Sequence, residues 1–316
     1  MSAATMHRSI PTRGPFSLEE LALFGFGHRA EREFDGVMRM AFRVDGDLET
    51  AAGVEVRQQG ERLDLTIHGA GDPDVVARQV ARVLSCDHDG EGFAEIGRRD
   101  PVIGALQRAA PGLRPPLFYS PYEAAVWSVI SARRPRAQGM RLRERLCADH
   151  GDAFELAGQT VTALPSPSRF AELTEGTALA ALPGLPADRL PRLHAVAEAA
   201  QAGDLDVDRL VALGPDAAQL AVQKLPGVGP FYSALIVVRG CGFADVLPVN
   251  EARSRALVHE LYGIGQPMTD EEYASFAERW RPYRTWAVVL IRAAAHRLPA
   301  PKAGSRPAHG VPSTDL

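Results

Sequence analysis

Lysine, cysteine and long apolar runs are scarce in this sequence of 316 residues. Lys224 and Lys302 are its only lysines, so arginine carries nearly all of the positive charge. The cysteines, three in number and far apart, fit neither a disulfide framework nor a four-thiolate cluster, and they favour a reducing compartment. No apolar stretch is long enough to cross a bilayer, and the first residues lack the apolar core of a signal peptide. We therefore expect a cytoplasmic protein with no membrane contact.

Charge of one sign is not in excess either. The sequence has 35 basic and 39 acidic side chains and a formal net charge of -4. This balance argues against a protein that holds a polyanion by bulk charge, although a local basic face remains open. With 46% hydrophobic and 23% charged residues, the composition is that of a packed protein, and the length suits about two domains.

The predicted fold changes class along the chain. Residues 1–92 carry segments of alternating apolar and polar residues followed by a helical pattern, which predicts an α+β domain with a small antiparallel sheet backed by helices. Residues 93–298 carry helical patterns broken by Gly and Pro, which predicts an all-helical region. Residues 299–316 are rich in Pro, Gly and Ser, and we expect a disordered tail.

The most informative helical segment contains the connection Leu225-Pro226-Gly227-Val228-Gly229 between two helical patterns. The simplest interpretation is a tight turn in a helical hairpin, where Gly allows backbone angles that other residues avoid. A second interpretation is a phosphate site, because the free N–H groups at the start of the second helix can face an oxyanion. Together with its apolar flanks, the segment resembles the helix–hairpin–helix motif of proteins that hold DNA backbones without sequence preference.

Two further segments narrow the resemblance. Residues 240–251, Gly-Cys-Gly-Phe-Ala-Asp-Val-Leu-Pro-Val-Asn-Glu, look like the link from hairpin to catalytic carboxylate in the helix–hairpin–helix DNA glycosylase superfamily. Residues 280–286, Trp-Arg-Pro-Tyr-Arg-Thr-Trp, look like that superfamily's W-x-P-[WY]-R-[ST]-[WY] segment. The closest resemblance is to the 3-methyladenine DNA glycosylase II branch, which also has a small N-terminal α+β domain. It implies two helical subdomains with a cleft between them, within residues 93–298, and a monomer that acts on duplex DNA containing damaged bases, near the nucleoid if the source is bacterial.

The resemblance implies a catalytic carboxylate at Glu251. The family places an aspartate six residues after the Asp of D-V-x-P, and six residues after Asp245 stands Glu251. A carboxylate here can stabilise an oxocarbenium-like sugar and orient water. The extra C–C bond displaces the carboxylate by up to roughly 1.5 Å. Alternatively, Glu251 only caps the helix that follows, and Asn250 and Asp245 are the nearest other polar candidates.

Four residues are predicted for the base pocket by the same resemblance: Phe231, Leu235, Trp286 and Arg292. Bifunctional members of the superfamily have a lysine at the position of Phe231, where it forms a Schiff base and leads to strand cleavage. The aromatic residue therefore implies a monofunctional enzyme. Leu235 and Arg292 stand where the branch can have aromatic residues, which weakens the case for a box that holds a cationic base. Each of the four can instead be a packing or surface residue.

An arginine run follows the first long helix of the helical region, where the branch has an apolar wedge that fills the gap left by a flipped base. Arg133, Arg134 and Arg136 belong to it, and one of the first two is expected to enter or border the DNA stack. The alternative is a solvated charge run. With Leu225, Gly227, Val228 and Gly229 of the hairpin, these arginines complete the predicted DNA contacts.

Three functions remain open on the sequence alone. The first is a monofunctional glycosylase that removes damaged bases, especially alkylated purines; the second is a non-catalytic relative that recognises damaged duplex; the third is an oxidised-base glycosylase on the same scaffold. We expect no cofactor. The resemblance implies one structural alkali cation, Na⁺ or K⁺, on the carbonyls of Gln223, Leu225 and Val228.

Overall fold

A computed structural model describes residues 5–25, 33–174, 176, 184–249 and 251–299. The predicted tail lies almost entirely outside the described residues, as does Asn250. The strands are β1 (Thr5–Pro11), β2 (Met38–Val44), β3 (Asp47–Gln59), β4 (Arg62–Gly69), β5 (Ala153–Leu156) and β6 (Gln159–Thr162). The first helices are α1 (Leu18–Phe24), α2 (Pro73–Val83), α3 (Gly90–Arg99), α4 (Pro101–Ala109), α5 (Pro121–Ser131), α6 (Arg136–His150) and α7 (Pro167–Ala171). They are followed by α8 (Leu190–Gln201), α9 (Val207–Leu213), α10 (Pro215–Val222), α11 (Pro230–Cys241), α12 (Ala252–Tyr262), α13 (Asp270–Ala277) and α14 (Arg284–Ala294).

The N-terminal region is a four-stranded antiparallel sheet in the order β1-β4-β3-β2. Val54 on β3 stands opposite Ile67 on β4 and Met40 on β2, and all three side chains are buried. This alternation of buried and accessible positions is the source of the period-two pattern in the sequence. The α+β fold class predicted for this region, with a helical region after it, is confirmed.

The alternating pattern of the strands suggested that the other face of the sheet is exposed to solvent. In the structure, part of that face is covered. The β5–β6 hairpin, which the sequence did not reveal within the helical region, packs on it. Phe154 lies over Gly53, so closely that a Cβ at Gly53 would stand 2.6 Å from the Phe154 ring. Arg39 adds hydrogen bonds of 3.0 Å to the carbonyls of Leu156 and Ala157.

Two hydrophobic cores organise the described part of the chain. The first joins the sheet and α2–α4 to the C-terminal helices α12–α14, through residues such as Ile67, Leu106 and Ile291. The second consists of residues from 118 to 241 and contains α5, α6 and α8–α11. The boundary predicted between residues 92 and 93 therefore does not divide the cores, because the helices at both ends of the helical region bury their apolar faces against the sheet domain.

A buried arginine connects the two cores. Arg82 on α2 donates to Asp45 at 2.7 Å, to the Tyr119 carbonyl at 2.7 Å and to the Gly240 carbonyl at the end of α11. Burial raises the pKa of Asp45 above its ordinary value, and the Arg82 charge opposes that shift. This network sets the direction in which the chain leaves α11 toward Glu251.

Candidate active site and DNA interface

The helical hairpin predicted from residues 225–229 is present. Pro226 and Gly227 occupy the centre of a turn in which the Val228 N–H donates to the Leu225 carbonyl at 3.1 Å. Gly227 has a φ of +82°, and a proline followed by a residue of positive φ defines a type II turn. The Gln223 amide donates to the Ser233 hydroxyl at 3.0 Å and so joins the two sides of the hairpin. The glycine is required because L side chains rarely adopt this backbone conformation.

The start of α11 is open to a ligand. Gly229 is its N-cap, and no side chain caps it. A Cβ placed on Gly229 would meet nothing within 4 Å, whereas one on Gly227 would stand 2.5 Å from the Arg192 guanidinium. Lys224 is exposed beside the same turn. An uncapped helix start beside Lys224 and Arg192, the second of which forms an ion pair of 2.8 Å with Asp188, suits a phosphate oxygen.

The segment before Glu251 is held by the residues of the second sequence motif. Arg284 donates to the Asp245 carboxylate at 2.8 Å. The Thr285 hydroxyl donates to the Val246 carbonyl at 2.8 Å and accepts from the Val246 N–H at 2.9 Å. The two motifs thus form one unit, through contacts between residues that are 36 or more positions apart in sequence. Asp245 shapes this turn, because its carboxylate is engaged in ion pairs with Arg281 and Arg284. Glu251, at the end of the segment, is therefore the stronger candidate for the catalytic carboxylate.

Glu251 stands at the N-terminus of α12, but it does not cap that helix with its side chain. One carboxylate oxygen accepts a hydrogen bond from the Ser254 hydroxyl, and the other forms an ion pair with Arg292 on α14. The Glu251 side chain is 18% exposed and that of Arg292 is 37% exposed. The carboxylate is therefore held in place from two sides and remains accessible.

Of the four residues predicted for the base pocket, Arg292 is the one that contacts Glu251. Its Nη1 atom makes the ion pair, and no other hydrogen-bond partner of this guanidinium is found in the described part of the chain. Burial lowers the pKa of Arg292 from its ordinary value, although an arginine remains charged in proteins. A cation and an anion consequently share the space where the family resemblance puts the base.

Trp286 requires a correction. The resemblance assigns it to the base pocket, but the structure buries it in the first core at 2% exposure. Its ring contacts Phe93 at a centroid distance of 5.3 Å and Tyr283 at 5.2 Å. Arg292 comes six positions after Trp286, which turns the two side chains to different faces of α14.

Phe231 and Leu235 lie one helical turn apart on α11. Phe231 is 61% exposed, which is unusual for a large apolar side chain, and its ring contacts Tyr232 at 5.3 Å. Leu235 is half-buried against the second core. Their assignment to the base pocket stays a prediction, since exposure alone does not distinguish a stacking residue from a surface one.

The arginine run separates into different environments. Arg134 donates to the Gly184 carbonyl at 2.8 Å and to the Ile130 carbonyl at 3.3 Å, so it is tied to the scaffold. Arg133 is exposed and has a φ of +59°, a left-handed conformation that is uncommon for a residue other than glycine. Arg136 begins α6. Arg133 is thus the residue that the loop presents outward.

Other features of the described residues lie away from this site. A cavity of about 760 Å³ lined by Phe93, Arg114 and Trp286 includes neither the hairpin nor Glu251. Among the described residues, no group of three or more His, Cys, Asp or Glu side chains is placed to hold a metal ion. No helix in the described ranges has the length and apolar character needed to span a membrane.

Sequence reasoning missed two side chains of the site. Ser254 could have been found from its spacing, because residues three apart in a helix start face each other. Arg192 comes from α8, more than 30 residues before the hairpin, and no local pattern points to it.

The fold of this chain is similar to the folds of known DNA glycosylases. No protein-family model matches the sequence. The structure aligns with that of 3-methyladenine DNA glycosylase from Archaeoglobus fulgidus with a TM-score of 0.73, over 92% of this chain and 98% of that one, at 18% identity. The fold is therefore that of the helix–hairpin–helix DNA glycosylases.

Sequence relatives point to one branch of that class. A probable bifunctional transcriptional activator/DNA repair enzyme AlkA of Mycobacterium tuberculosis is 26% identical over 90% of this chain and 56% of its own length. DNA-3-methyladenine glycosylase 2 of Escherichia coli is 27% identical over 60% of this chain and 63% of its own length. The chain thus spans less than two thirds of either relative. These matches confirm the resemblance to the superfamily and to its 3-methyladenine DNA glycosylase branch.

Proposed function

We propose that the chain is a monofunctional DNA glycosylase of base-excision repair. In this proposal it extrudes a damaged base, with alkylated purines among the candidates, from duplex DNA and hydrolyses the bond between the base and its deoxyribose. The observation that carries the proposal is the Glu251 carboxylate: the two sequence motifs fold together just before it in the chain, and its side chain stays 18% exposed beside Arg292. The names of the relatives support the same activity.

The hairpin and the arginine loop supply the proposed DNA contacts. Backbone N–H groups near Gly229, with Lys224 and Arg192 beside them, hold a phosphate without reading sequence. Arg133 enters the gap that the extruded nucleotide leaves, because its planar guanidinium can stack between bases. Such an enzyme acts as a monomer in the cytoplasm, on the chromosome of a bacterium.

An alkali cation suits the hairpin. The carbonyls of Gln223 and Val228 accept no hydrogen bond from a backbone N–H of the described residues, and Leu225 accepts one from the turn. Hard cations prefer oxygen ligands of this kind. We propose that Na⁺ or K⁺ binds these three carbonyls and stabilises the turn; no other cofactor is part of the proposal.

Glu251 acts on the sugar. As the C1′–N bond breaks, its electron pair goes to the base and positive charge develops at C1′. The Glu251 carboxylate stabilises that charge and orients the water that adds to C1′. Ser254 is a positioning residue that holds one of the carboxylate oxygens.

The absence of strand cleavage belongs to the same proposal. Phe231 occupies the position of the lyase lysine, and the sequence contains only Lys224 and Lys302 as amine side chains. The incoming water, rather than an amine, is then the nucleophile, and no Schiff base with the sugar forms.

A second function, damaged-DNA binding without catalysis, is favoured by one observation. The Arg292 ion pair compensates part of the Glu251 charge that catalysis needs. An assay distinguishes the two functions: pure protein is incubated with duplexes that carry either methylated or deaminated bases, and free bases are identified by mass spectrometry. Release of damaged bases without a borohydride-trapped protein–DNA adduct supports the glycosylase. Tight binding to the damaged duplex, with no base released from any lesion, supports the binding protein. A trapped adduct that disappears in Lys224→Gln would contradict the monofunctional proposal.

A further inference from the structure

Arg292 places a permanent positive charge at the candidate base pocket. The guanidinium makes its ion pair with Glu251 through one Nη1 atom and is 37% exposed. A guanidinium has five N–H donors in a planar fork. In the described part of the chain, its remaining donors have no partner. They are available to a ligand that approaches Glu251.

The positive charge of Arg292 discriminates between cationic and neutral damaged bases. An N7-methylated guanine or an N3-methylated adenine carries a positive charge while it is attached to the sugar. Two unit charges about 6 Å apart, at the effective dielectric constant of a protein surface, change an affinity by about a hundredfold. A cationic base next to Glu251 would meet the guanidinium at about this separation, and the ion pair with Arg292 offsets the attraction that the Glu251 carboxylate would otherwise exert on it. A neutral base with hydrogen-bond acceptors would not be repelled and would satisfy the free donors.

The leaving group leads to the same preference. When the C1′–N bond of a neutral lesion breaks, the base departs with the electron pair and therefore as an anion. Hydrogen bonds from a cationic donor stabilise such an anion in the transition state. The added water gives its OH to C1′, and the remaining proton ends on the departed base. A cationic base leaves as a neutral molecule and gains nothing from Arg292.

We infer that Arg292 selects damaged bases that are uncharged at neutral pH and that present hydrogen-bond acceptors, and that it discriminates against cationic alkylated purines. The inference rests on the proposed glycosylase activity and specifies the substrate class of the same pocket. In this role Arg292 both contacts the base and keeps Glu251 oriented through their ion pair.

The test compares base release from two duplexes, one containing hypoxanthine as the neutral lesion and one containing 7-methylguanine as the cationic lesion. Wild type is expected to favour hypoxanthine in kcat/KM. Arg292→Gln should lower this ratio by about tenfold to a hundredfold, because repulsion of the cation and stabilisation of the anion are both lost. Arg292→Lys keeps the charge without the planar fork, so it should continue to exclude 7-methylguanine while releasing hypoxanthine more slowly.

Arg297→Gln is the matched control, since Arg297 forms an ion pair of 2.7 Å with Glu20 just after the same helix. It should leave the ratio unchanged. Thermal unfolding of each variant identifies loss of fold, and Arg292→Lys is the variant expected to keep the ion pair. A wild type that prefers 7-methylguanine, or a ratio that Arg292→Gln does not change, would overturn the inference and leave the glycosylase intact. If wild type releases neither base, nor any other lesion, the glycosylase proposal itself fails and the inference fails with it.

Discussion

At the scale of single residues, Glu251 is the position where the functional alternatives separate. A glutamate stands where the resemblance to the glycosylase superfamily leads us to expect an aspartate, and its carboxylate contacts Ser254 and Arg292. The sequence left open whether the backbone had adapted to the longer side chain. Because both oxygens have partners in the folded protein, we expect the site to be built for glutamate.

Glu251→Gln keeps the size of the side chain but removes its negative charge. Base release should fall by about a hundredfold or more, since stabilisation of the oxocarbenium-like sugar is lost. DNA binding should survive or tighten because a charge that faces phosphates has gone. Single-turnover release and equilibrium binding measure the two effects. The control is Glu260→Gln, an exposed glutamate on the same helix, which should change neither.

Glu251→Asp distinguishes the effect of the carboxylate charge from the effect of side-chain length. Shortening the side chain by roughly 1.5 Å withdraws the carboxylate from Ser254 and Arg292, so the rate should fall while the charge stays the same. The measurement is the single-turnover rate on the best substrate. A rate above wild type would mean that the site has kept a geometry suited to the aspartate that the resemblance implies.

At the scale of elements, the loop between α5 and α6 contains two neighbouring arginines with different contacts, a difference that the sequence does not reveal. Arg133 and Arg134 are adjacent, but within the described ranges only Arg134 donates hydrogen bonds to backbone carbonyls. The left-handed conformation of Arg133 is maintained by the loop around it, and such conformations cluster at functional sites.

Arg133→Glu should reduce the preference for duplex containing an abasic site over intact duplex by about tenfold, because the wedge is lost. Arg134→Glu should mainly lower stability, since its contacts are within the protein. Arg141→Glu makes the same charge change on the exposed surface of α6 and should weaken both DNAs slightly and equally. Fluorescence anisotropy with the two duplexes gives the ratio. Equal losses for Arg133→Glu and Arg141→Glu would reduce the run to a general phosphate contact.

The hairpin offers a clean test because its two glycines differ. Gly229→Leu adds a side chain into open space at an ordinary φ, so the protein should fold normally while duplex binding weakens by about tenfold for any sequence. Gly227→Leu combines a positive φ with a clash against Arg192 and should also unfold more easily. Gly265→Leu is the control, since its Cβ likewise meets nothing within 4 Å, away from the hairpin. Unchanged affinity of a folded Gly229→Leu protein would remove the hairpin from the interface.

At the scale of the whole molecule, Arg82 connects the two cores and supports the path to Glu251. Its side chain is 9% exposed and that of its partner Asp45 is 15% exposed. Arg82→Met leaves a largely buried carboxylate without its cation and should lower the free energy of unfolding by about 3 kcal/mol at neutral pH. Arg169→Met removes an exposed pair with Glu172 and should cost less than about 1 kcal/mol.

The loss should depend on pH in a known direction. Burial raises the pKa of Asp45 in the folded protein above its unfolded value, so the folded state binds this proton more readily. Stability from this group is therefore present at low pH and is lost as pH rises through the raised pKa. Without Arg82 the pKa rises further, and Arg82→Met should be less destabilised at pH 5 than at pH 8 in urea unfolding. A uniform loss across this range would show that packing, rather than charge, explains the effect.

Local pattern and turn chemistry determined much of this protein. Alternation of apolar residues in β2–β4 indicated a small sheet, and Pro226 with Gly227 indicated the hairpin turn, because these signals act within a few residues. The two motifs around Asp245 and Arg284 identified the class of protein. The same local information also placed Glu251 at the start of a helix.

Tertiary structure decided what local pattern could not. The β5–β6 hairpin owes its place to Phe154 and Gly53, which are about 100 residues apart in sequence. Trp286 and Arg292 lie on one helix, yet only packing determined that the first enters the core and the second meets Glu251. Likewise, Arg133 and Arg134 read alike in sequence and differ in the contacts available to each. The physical reason is that burial and ion pairing depend on which distant segments meet, and periodicity within one segment carries no record of its partner.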